Sequence, residues 1–137
     1  MGRPKHNRTC SVCKEPIDRH ANEFCSIKCQ NQKRYIDFIV RWKLGLEKGT
    51  RGKQLTSKYI HRYLREKNGD KCSKCGWNKI NPTTNKVPIQ LHHKDGNQEN
   101  NNEDNLELLC PNCHSLTPTF MNLNKGKGRK ERYKTED

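Results

Sequence analysis

The chain has 137 residues, of which only 29% are apolar and 7% aromatic, so few side chains are available for a hydrophobic core. Because apolar burial contributes only about 25 cal/mol per Å², such a chain either stays disordered or is cross-linked, and its eight cysteines can supply the cross-links. The formal net charge of +13 favours polyanions such as nucleic acid, and no stretch approaches the roughly 18 consecutive apolar residues of a membrane span.

The first segment, residues 1–31, contains two closely spaced cysteine pairs and little apolar content. Its first nine residues are basic but lack the apolar stretch of a signal peptide, so we expect a cytoplasmic protein. In a reducing compartment, such pairs indicate metal rather than disulfides. We therefore predict a zinc module on Cys10, Cys13, Cys25 and Cys29, which serves either as a DNA contact or as a structural cap.

The second segment, residues 32–69, has a helical pattern. Apolar residues recur at helical spacing and define one face of a first helix, namely Tyr35, Phe38, Ile39, Trp42 and Leu46. Gly45, Gly49 and Gly52 interrupt the pattern. Ser57 is a candidate N-cap and Gly69 a candidate end for a second helix. The apolar face of the first helix and the apolar residues of the second, Ile60, Tyr63 and Leu64, are interpreted as core.

The third segment, residues 70–124, contains the remaining cysteines and the chemically informative histidines. Residues 87–93 and 106–109 are predicted strands, separated by a polar loop rich in Asn and Gly. Pro111 is suited to the first turn of a helix, which Pro118 ends or kinks. Residues 125–137 form a basic tail that we expect to be flexible.

The third segment also carries a four-cysteine zinc motif. Two Cys-x-x-Cys pairs bracket the predicted hairpin, and together they can complete a closed tetrahedral site on Cys72, Cys75, Cys110 and Cys113. Structural zinc contributes roughly 10–16 kcal/mol in small finger peptides, comparable to the roughly 5–15 kcal/mol stability of a typical domain. We expect the segment to lose its shape without the metal.

Histidines and an asparagine are interlaced with these cysteines. The stretch Leu91-His92-His93-Lys94-Asp95-Gly96 is followed by Asn105-Leu106 and then by Cys110-Pro111-Asn112-Cys113-His114. This order resembles the HNH endonuclease motif in the four-cysteine zinc form of phages and bacteria, over residues 58–124. The resemblance implies a small α+β fold with a ββα-metal, treble-clef-like nuclease core beside the helical segment. It is also compatible with a freestanding phage homing endonuclease, which would act in the host cytoplasm.

The resemblance implies a role for each matched residue. His93 matches the general base, which is available as neutral imidazole at physiological pH. His92 and His114 match the ligands of a catalytic metal, and Asn105 matches the residue that holds the loop and orients the base. Strict strand alternation would place His92 and His93 on opposite faces, so the strand must bend or end at the following turn. A zinc-ligand role for one histidine remains an alternative, although both cysteine quartets are complete without it.

The resemblance also implies cofactors and a substrate. Many relatives carry Asp at the position of His92, and two imidazoles shift affinity toward zinc, nickel or manganese, while magnesium remains compatible with the family. Two structural zinc ions and one catalytic divalent ion are therefore expected. The substrate is expected to be double-stranded DNA, which the basic tail would hold through Lys125, Lys127, Arg129 and Lys130. The alternative function is that of a non-catalytic zinc-containing DNA-binding protein.

Overall fold

A computed structural model describes residues 8–18, 20–21, 23–51 and 55–124. The chain divides into two units, Met1–Arg41 and Trp42–Asp137. The finer division predicted from the sequence, with boundaries after residues 31, 69 and 124, stays a prediction. The basic tail lies outside the described residues. Within the described residues, no helix combines the length and apolarity that crossing a bilayer requires.

Helix α1 spans Ile27–Lys43 and includes Cys29 in its first turn. The Ser26 hydroxyl accepts a hydrogen bond from the Cys29 amide at 3.3 Å, as an N-cap does. Tyr35, Ile39 and Trp42 are buried, as the periodicity predicts.

The predicted place of Leu46 on that helix face is wrong, because α1 ends at Lys43 and Leu46 is 72% exposed. Gly45 takes the left-handed conformation, with φ of +77°, and its amide donates to the Trp42 carbonyl. This turn ends α1 although the apolar pattern of the sequence continues to Leu46.

A short antiparallel hairpin and a second helix follow. Strand β1, Thr50–Arg51, pairs with β2, Leu55–Thr56, and helix α2 spans Lys58–Asn68. Both predicted ends of α2 are confirmed: the Ser57 hydroxyl accepts from the Tyr59 amide, and Gly69 caps the helix with a φ of +79°. Ile60 and Leu64 form its buried face.

The second unit continues with strand β3, Gln90–His93, strand β4, Leu106–Leu109, and the short helix α3, Pro111–Ser115. The two strands pair antiparallel, with His92 opposite Glu107. Strand β3 is shorter than predicted because Pro88 has no amide to donate. The Val87 and Ile89 carbonyls instead accept hydrogen bonds from the Arg65 guanidinium, at 3.4 Å. Pro111 occupies the first turn of α3, as predicted.

Candidate functional site

The eight cysteines form the two predicted groups of four. Within each group the four sulfur atoms lie within 4.8 Å of one another. Neighbouring sulfurs are 3.5 Å apart between Cys13 and Cys25 and 3.7 Å apart between Cys75 and Cys110. A disulfide requires about 2.05 Å, whereas a zinc ion about 2.3 Å from each ligand separates tetrahedral sulfurs by roughly 3.8 Å. The spacing therefore fits zinc.

The two Cys-x-x-Cys turns share the same backbone hydrogen bonds. The amide four residues after the first cysteine donates to its carbonyl, from Lys14 to Cys10 at 3.1 Å and from Gly76 to Cys72 at 2.9 Å. Both donors adopt a positive φ, of 63° and 75° respectively. The first cysteine also donates its own amide to the carbonyl five residues on. Two turns of one geometry, each closing a sulfur quartet, support the same metal chemistry at both sites.

Hydrogen bonds from backbone amides lower the pKa of two of the cysteine thiols and so favour the thiolate form that binds metal. Hydrogen bonding, chiefly from the Cys13 amide, lowers the pKa of Cys10 to about 6. At Cys72, burial acts to raise the pKa, but backbone amides led by that of Cys110 outweigh it and lower the pKa to about 6. The hydrogen bond with Cys110 and the neighbouring sulfurs raise the pKa of Cys113 to about 12. Four thiolates therefore require a cation, which a zinc ion would supply.

The second sulfur group ties three parts of the unit together. Cys72, Leu109 and Cys110 are almost fully buried in one cluster, against which Trp77 and Cys113 pack. The Ser73 amide donates to the Leu108 carbonyl at 2.8 Å, which joins the turn to β4. The Cys110 sulfur accepts from the Cys113 amide at the start of α3. The relative positions of β4 and α3 consequently depend on these sulfurs.

His92 and His114 are in ring contact where β3 meets α3. Their ring centroids are 5.4 Å apart, in an edge-on arrangement. The Phe120 ring also contacts His114, with 5.3 Å between the two centroids. Burial lowers the pKa of His92, although Glu107 on the paired strand acts in the opposite sense. A lowered pKa keeps the imidazole neutral, which is the form that binds a metal ion.

Gln90 orients His114, and it is not among the residues predicted from the sequence. Its side-chain oxygen lies 2.6 Å from His114 Nδ1. Because an amide oxygen can only accept, Nδ1 carries the proton and Nε2 retains the lone pair. Metal-binding histidines usually donate their second ring nitrogen in this way. Strand alternation is the signal that could have found Gln90, since it lies two residues from His92 and shares its face.

His93 is directed to a different partner. Its Nε2 lies 2.8 Å from the side-chain oxygen of Asn101, a residue that is 4% exposed. His92 and His114 are thus brought together by ring contact, while His93, the last residue of β3, is held by the connection between the strands. In the sequence Asn101 lies in a polar loop, and nothing local distinguishes it from the asparagines around it.

Asn105 closes the turn that follows β3. Its side-chain oxygen accepts from the Asp95 amide at 3.0 Å, and its side-chain nitrogen donates to the Asp95 carboxylate at 2.9 Å and to the Asn100 carbonyl at 2.9 Å. Burial acts to raise the pKa of Asp95, but hydrogen bonds, first from Asn100, outweigh it and lower the pKa. The carboxylate is therefore a stable acceptor for Asn105.

These observations define the chain as a small α+β protein with two four-cysteine groups that could hold zinc. Over 58 residues, 42% of the chain, it is 52% identical to the H-N-H endonuclease F-TflIV of Escherichia phage T5, and the match covers 24% of that protein. Over 61 residues, 44% of the chain, it is 38% identical to the Zorya protein ZorE of Escherichia coli, with 16% of that protein covered. The chain thus spans about a quarter or less of these curated relatives.

No family model matches the chain. No solved structure matches it either. The 52% identity to a protein named as an H-N-H endonuclease nevertheless confirms the resemblance to the HNH family over the matched part of the chain.

Proposed function

We propose that the chain is a metal-dependent HNH endonuclease that hydrolyses phosphodiester bonds in double-stranded DNA. The observation that carries this proposal is the contact between His92 and His114, at 5.4 Å between ring centroids, on a hairpin and helix joined by a sulfur quartet. The similarity to a phage H-N-H endonuclease supports it. A core of ββα-metal, treble-clef-like type is part of the proposal.

His92 and His114 would hold the catalytic divalent ion. The hydrogen bond between Gln90 and His114 Nδ1 supports this role, because it leaves Nε2 as the nitrogen with a lone pair. When bound, the ion would supply charge neutralisation at the scissile phosphate and at the leaving oxygen. Magnesium or manganese is the expected ion in the family, and the two imidazoles also suit nickel or zinc.

His93 would act as the general base that takes a proton from the attacking water, a role worth typically about 10²–10⁴-fold. Asn105 would act as the scaffold that fixes the turn after His93. Three hydrogen bonds support the scaffold role, one accepted by Asn105 from the Asp95 amide and two donated by Asn105 to Asp95 and Asn100, because they close the turn that follows His93. Both roles are carried over from the family to these positions.

The remaining parts of the chain would stabilise the enzyme and hold its substrate. Each sulfur quartet would bind one structural zinc ion, and the sulfur spacing supports both sites. The tail would contact phosphates through Lys125, Lys127, Arg129 and Lys130, which lie outside the described residues. The similarity to a phage endonuclease supports a phage origin, and a homing endonuclease that acts in the host cytoplasm is the more specific form of the proposal.

Cleavage of supercoiled plasmid tests the proposal. The purified zinc-loaded protein is incubated with plasmid and either magnesium or manganese, beside His93→Ala and beside the control His20→Ala, an exposed histidine of the first unit. Nicked or linear plasmid is expected from the native protein and the control, and its yield is expected to fall by about 10² or more in His93→Ala. Zinc content and DNA binding should persist in all three proteins.

The same assay separates the proposal from its alternative. A protein that binds DNA but leaves plasmid intact with every divalent ion would be a non-catalytic zinc-containing DNA-binding protein, because binding alone does not require His93. Undiminished cleavage by His93→Ala would instead show that the protein is an endonuclease whose general base is not His93.

A further inference from the structure

Asn101 is a buried residue whose side-chain oxygen and nitrogen both have partners. Its side-chain nitrogen donates to the Lys48 carbonyl at 3.3 Å, and its side-chain oxygen accepts from the Thr56 hydroxyl at 3.1 Å. The same oxygen lies 2.8 Å from His93 Nε2. The main-chain carbonyl of Asn101 accepts from Trp42 Nε1 at 2.7 Å. Such pairing is expected of a buried amide, and here one partner is the proposed base.

These partners fix which end of the amide faces His93. The Lys48 carbonyl can only accept a hydrogen bond, so it must face the side-chain nitrogen of Asn101. The oxygen is thereby turned toward His93, and an amide oxygen cannot donate. His93 Nε2 must therefore carry the proton, and the lone pair of the neutral ring lies on Nδ1. The tautomer follows from the carbonyl of Lys48, which is distant from His93 in the sequence.

The backbone around Gly49 holds the amide in place from the other side. A Cβ atom built on Gly49 would lie 3.1 Å from Asn101 Cβ, 3.3 Å from Trp42 Nε1 and 2.5 Å from Ile60 Cδ1. Gly49 also has a φ of +76°, which favours glycine. Trp42, Lys48, Gly49 and Thr56 therefore lie around Asn101, and none of them has another role in the proposed chemistry.

We propose that Asn101 is the positioning residue of the proposed general base. It holds His93 in the Nε2–H tautomer, so that Nδ1 is the nitrogen presented to the attacking water. This inference rests on the proposed function. It extends that function because Trp42, Lys48 and Thr56 orient His93 through the one residue Asn101, in addition to the turn closure by Asn105.

The tautomer of His93 can be measured without any cleavage assay. Protein labelled with ¹⁵N in its histidines is studied by long-range ¹H–¹⁵N correlation spectroscopy, in the zinc-loaded form without DNA or added divalent ion. The pH is set where the ring is neutral, and His93→Gln assigns its signals. We expect a protonated Nε2 and an unprotonated Nδ1. A protonated Nδ1, or the averaged shifts of an unconstrained imidazole, would overturn the proposal.

Three variants then connect the tautomer to turnover. Asn101→Ala removes the acceptor, and we expect averaged imidazole shifts for His93. We also expect a kcat about 10²-fold lower, because a misplaced catalytic group costs about that much, and an unchanged KM. Asn101→Asp loses the donor to the Lys48 carbonyl but keeps an acceptor oxygen for His93 Nε2, and it should retain the Nε2–H tautomer. Asn102→Ala, an exposed neighbour in the same turn, is the matched control and should resemble the native protein in both measurements.

The outcomes separate this inference from the function on which it rests. A native protein that cleaves plasmid but carries the proton on Nδ1, or an Asn101→Ala protein with native tautomer and native kcat, would refute the role of Asn101 alone. A native protein with the Nε2–H tautomer that cleaves no DNA would refute the endonuclease, and the role of Asn101 in catalysis with it. If Asn101→Ala does not fold, the native spectrum and Asn101→Asp still decide the question.

Discussion

Replacing Cys72 by serine should unfold the second unit. Cys72 is 1% exposed and forms one cluster with Leu109 and Cys110, so its sulfur is both a proposed zinc ligand and part of the core. Serine leaves three sulfurs in the group and places a hydroxyl in an apolar site. Because the same sulfurs join β4 to α3, the unfolding should extend to the hairpin that carries His92 and His93.

The apolar core of β4 sets the scale of the effect. Leu106, Leu108 and Leu109 are the buried leucines of this strand, each at most 5% exposed. Full burial of a leucine contributes about 1.5–3 kcal/mol, so the three together contribute roughly 5–9 kcal/mol. Structural zinc contributes roughly 10–16 kcal/mol in finger peptides, which exceeds the contribution of these leucines and is comparable to the roughly 5–15 kcal/mol net stability of a typical domain. We therefore expect the unit to be unstable once the ion is absent.

Elemental analysis and thermal melting by circular dichroism measure the effect. The native protein should hold two zinc ions per chain, and Cys72→Ser should hold one and lose its melting transition in the second unit. Cys10→Ser should also hold one zinc ion, but the amide signals of β3 and β4 in its NMR spectrum should remain those of the native protein. Lys74→Ser, an exposed substitution within the same turn, controls for the serine and should keep both ions. Two ions and a native melting curve in Cys72→Ser would show that the second unit does not depend on this sulfur.

Three further outcomes are expected. Gly49→Ala should lower the free energy of unfolding by about 1–3 kcal/mol, because it combines a positive φ with overpacking against Ile60; an unchanged urea midpoint would contradict the close packing. The hydrogen bond from Lys67 lowers the pKa of Glu103 below its ordinary 4.5, so its contribution is present above pH 4.5 and disappears as the pH falls through the lowered pKa. Glu103→Gln should therefore flatten the stability profile in that acid range, and a profile parallel to the native one would count against the pair. Replacing the four basic tail residues named above by glutamine should reduce the salt dependence of DNA binding by a slope of about 0.9 for each phosphate that the tail no longer neutralises; an unchanged slope would assign phosphate binding to other parts of the chain.

Elements whose signals are local could be predicted from the sequence. Ser57 and Gly69 mark the two ends of α2 because a hydroxyl cap and a left-handed glycine act within one turn. Pro111 marks the start of α3 for a similar reason. The two cysteine quartets were also predictable, since metal ligands of a knuckle have a fixed short spacing.

Features that depend on distant residues could not be predicted. Nothing near Asn101 indicates that its partners are Trp42, Lys48 and Thr56, which are 45 to 59 residues away in sequence. The β1–β2 hairpin shows only a glycine-rich interruption in the sequence, because two-residue strands carry no periodicity. Leu46 continues the apolar pattern of α1, but the Gly45 turn ends the helix first. In each case tertiary contacts or one backbone angle outweigh the local pattern.

The proposed mechanism requires His92 and His114 to hold one divalent ion at the end of the hairpin. A crystal of the zinc-loaded protein, soaked with manganese and recorded by anomalous scattering at the manganese and zinc edges, would locate every ion. One manganese ion is expected between the ring nitrogens of His92 and His114, together with one zinc ion in each sulfur quartet. Manganese bound only elsewhere, or zinc coordinated by His92 or His114 in place of a cysteine, would rule out this metal site.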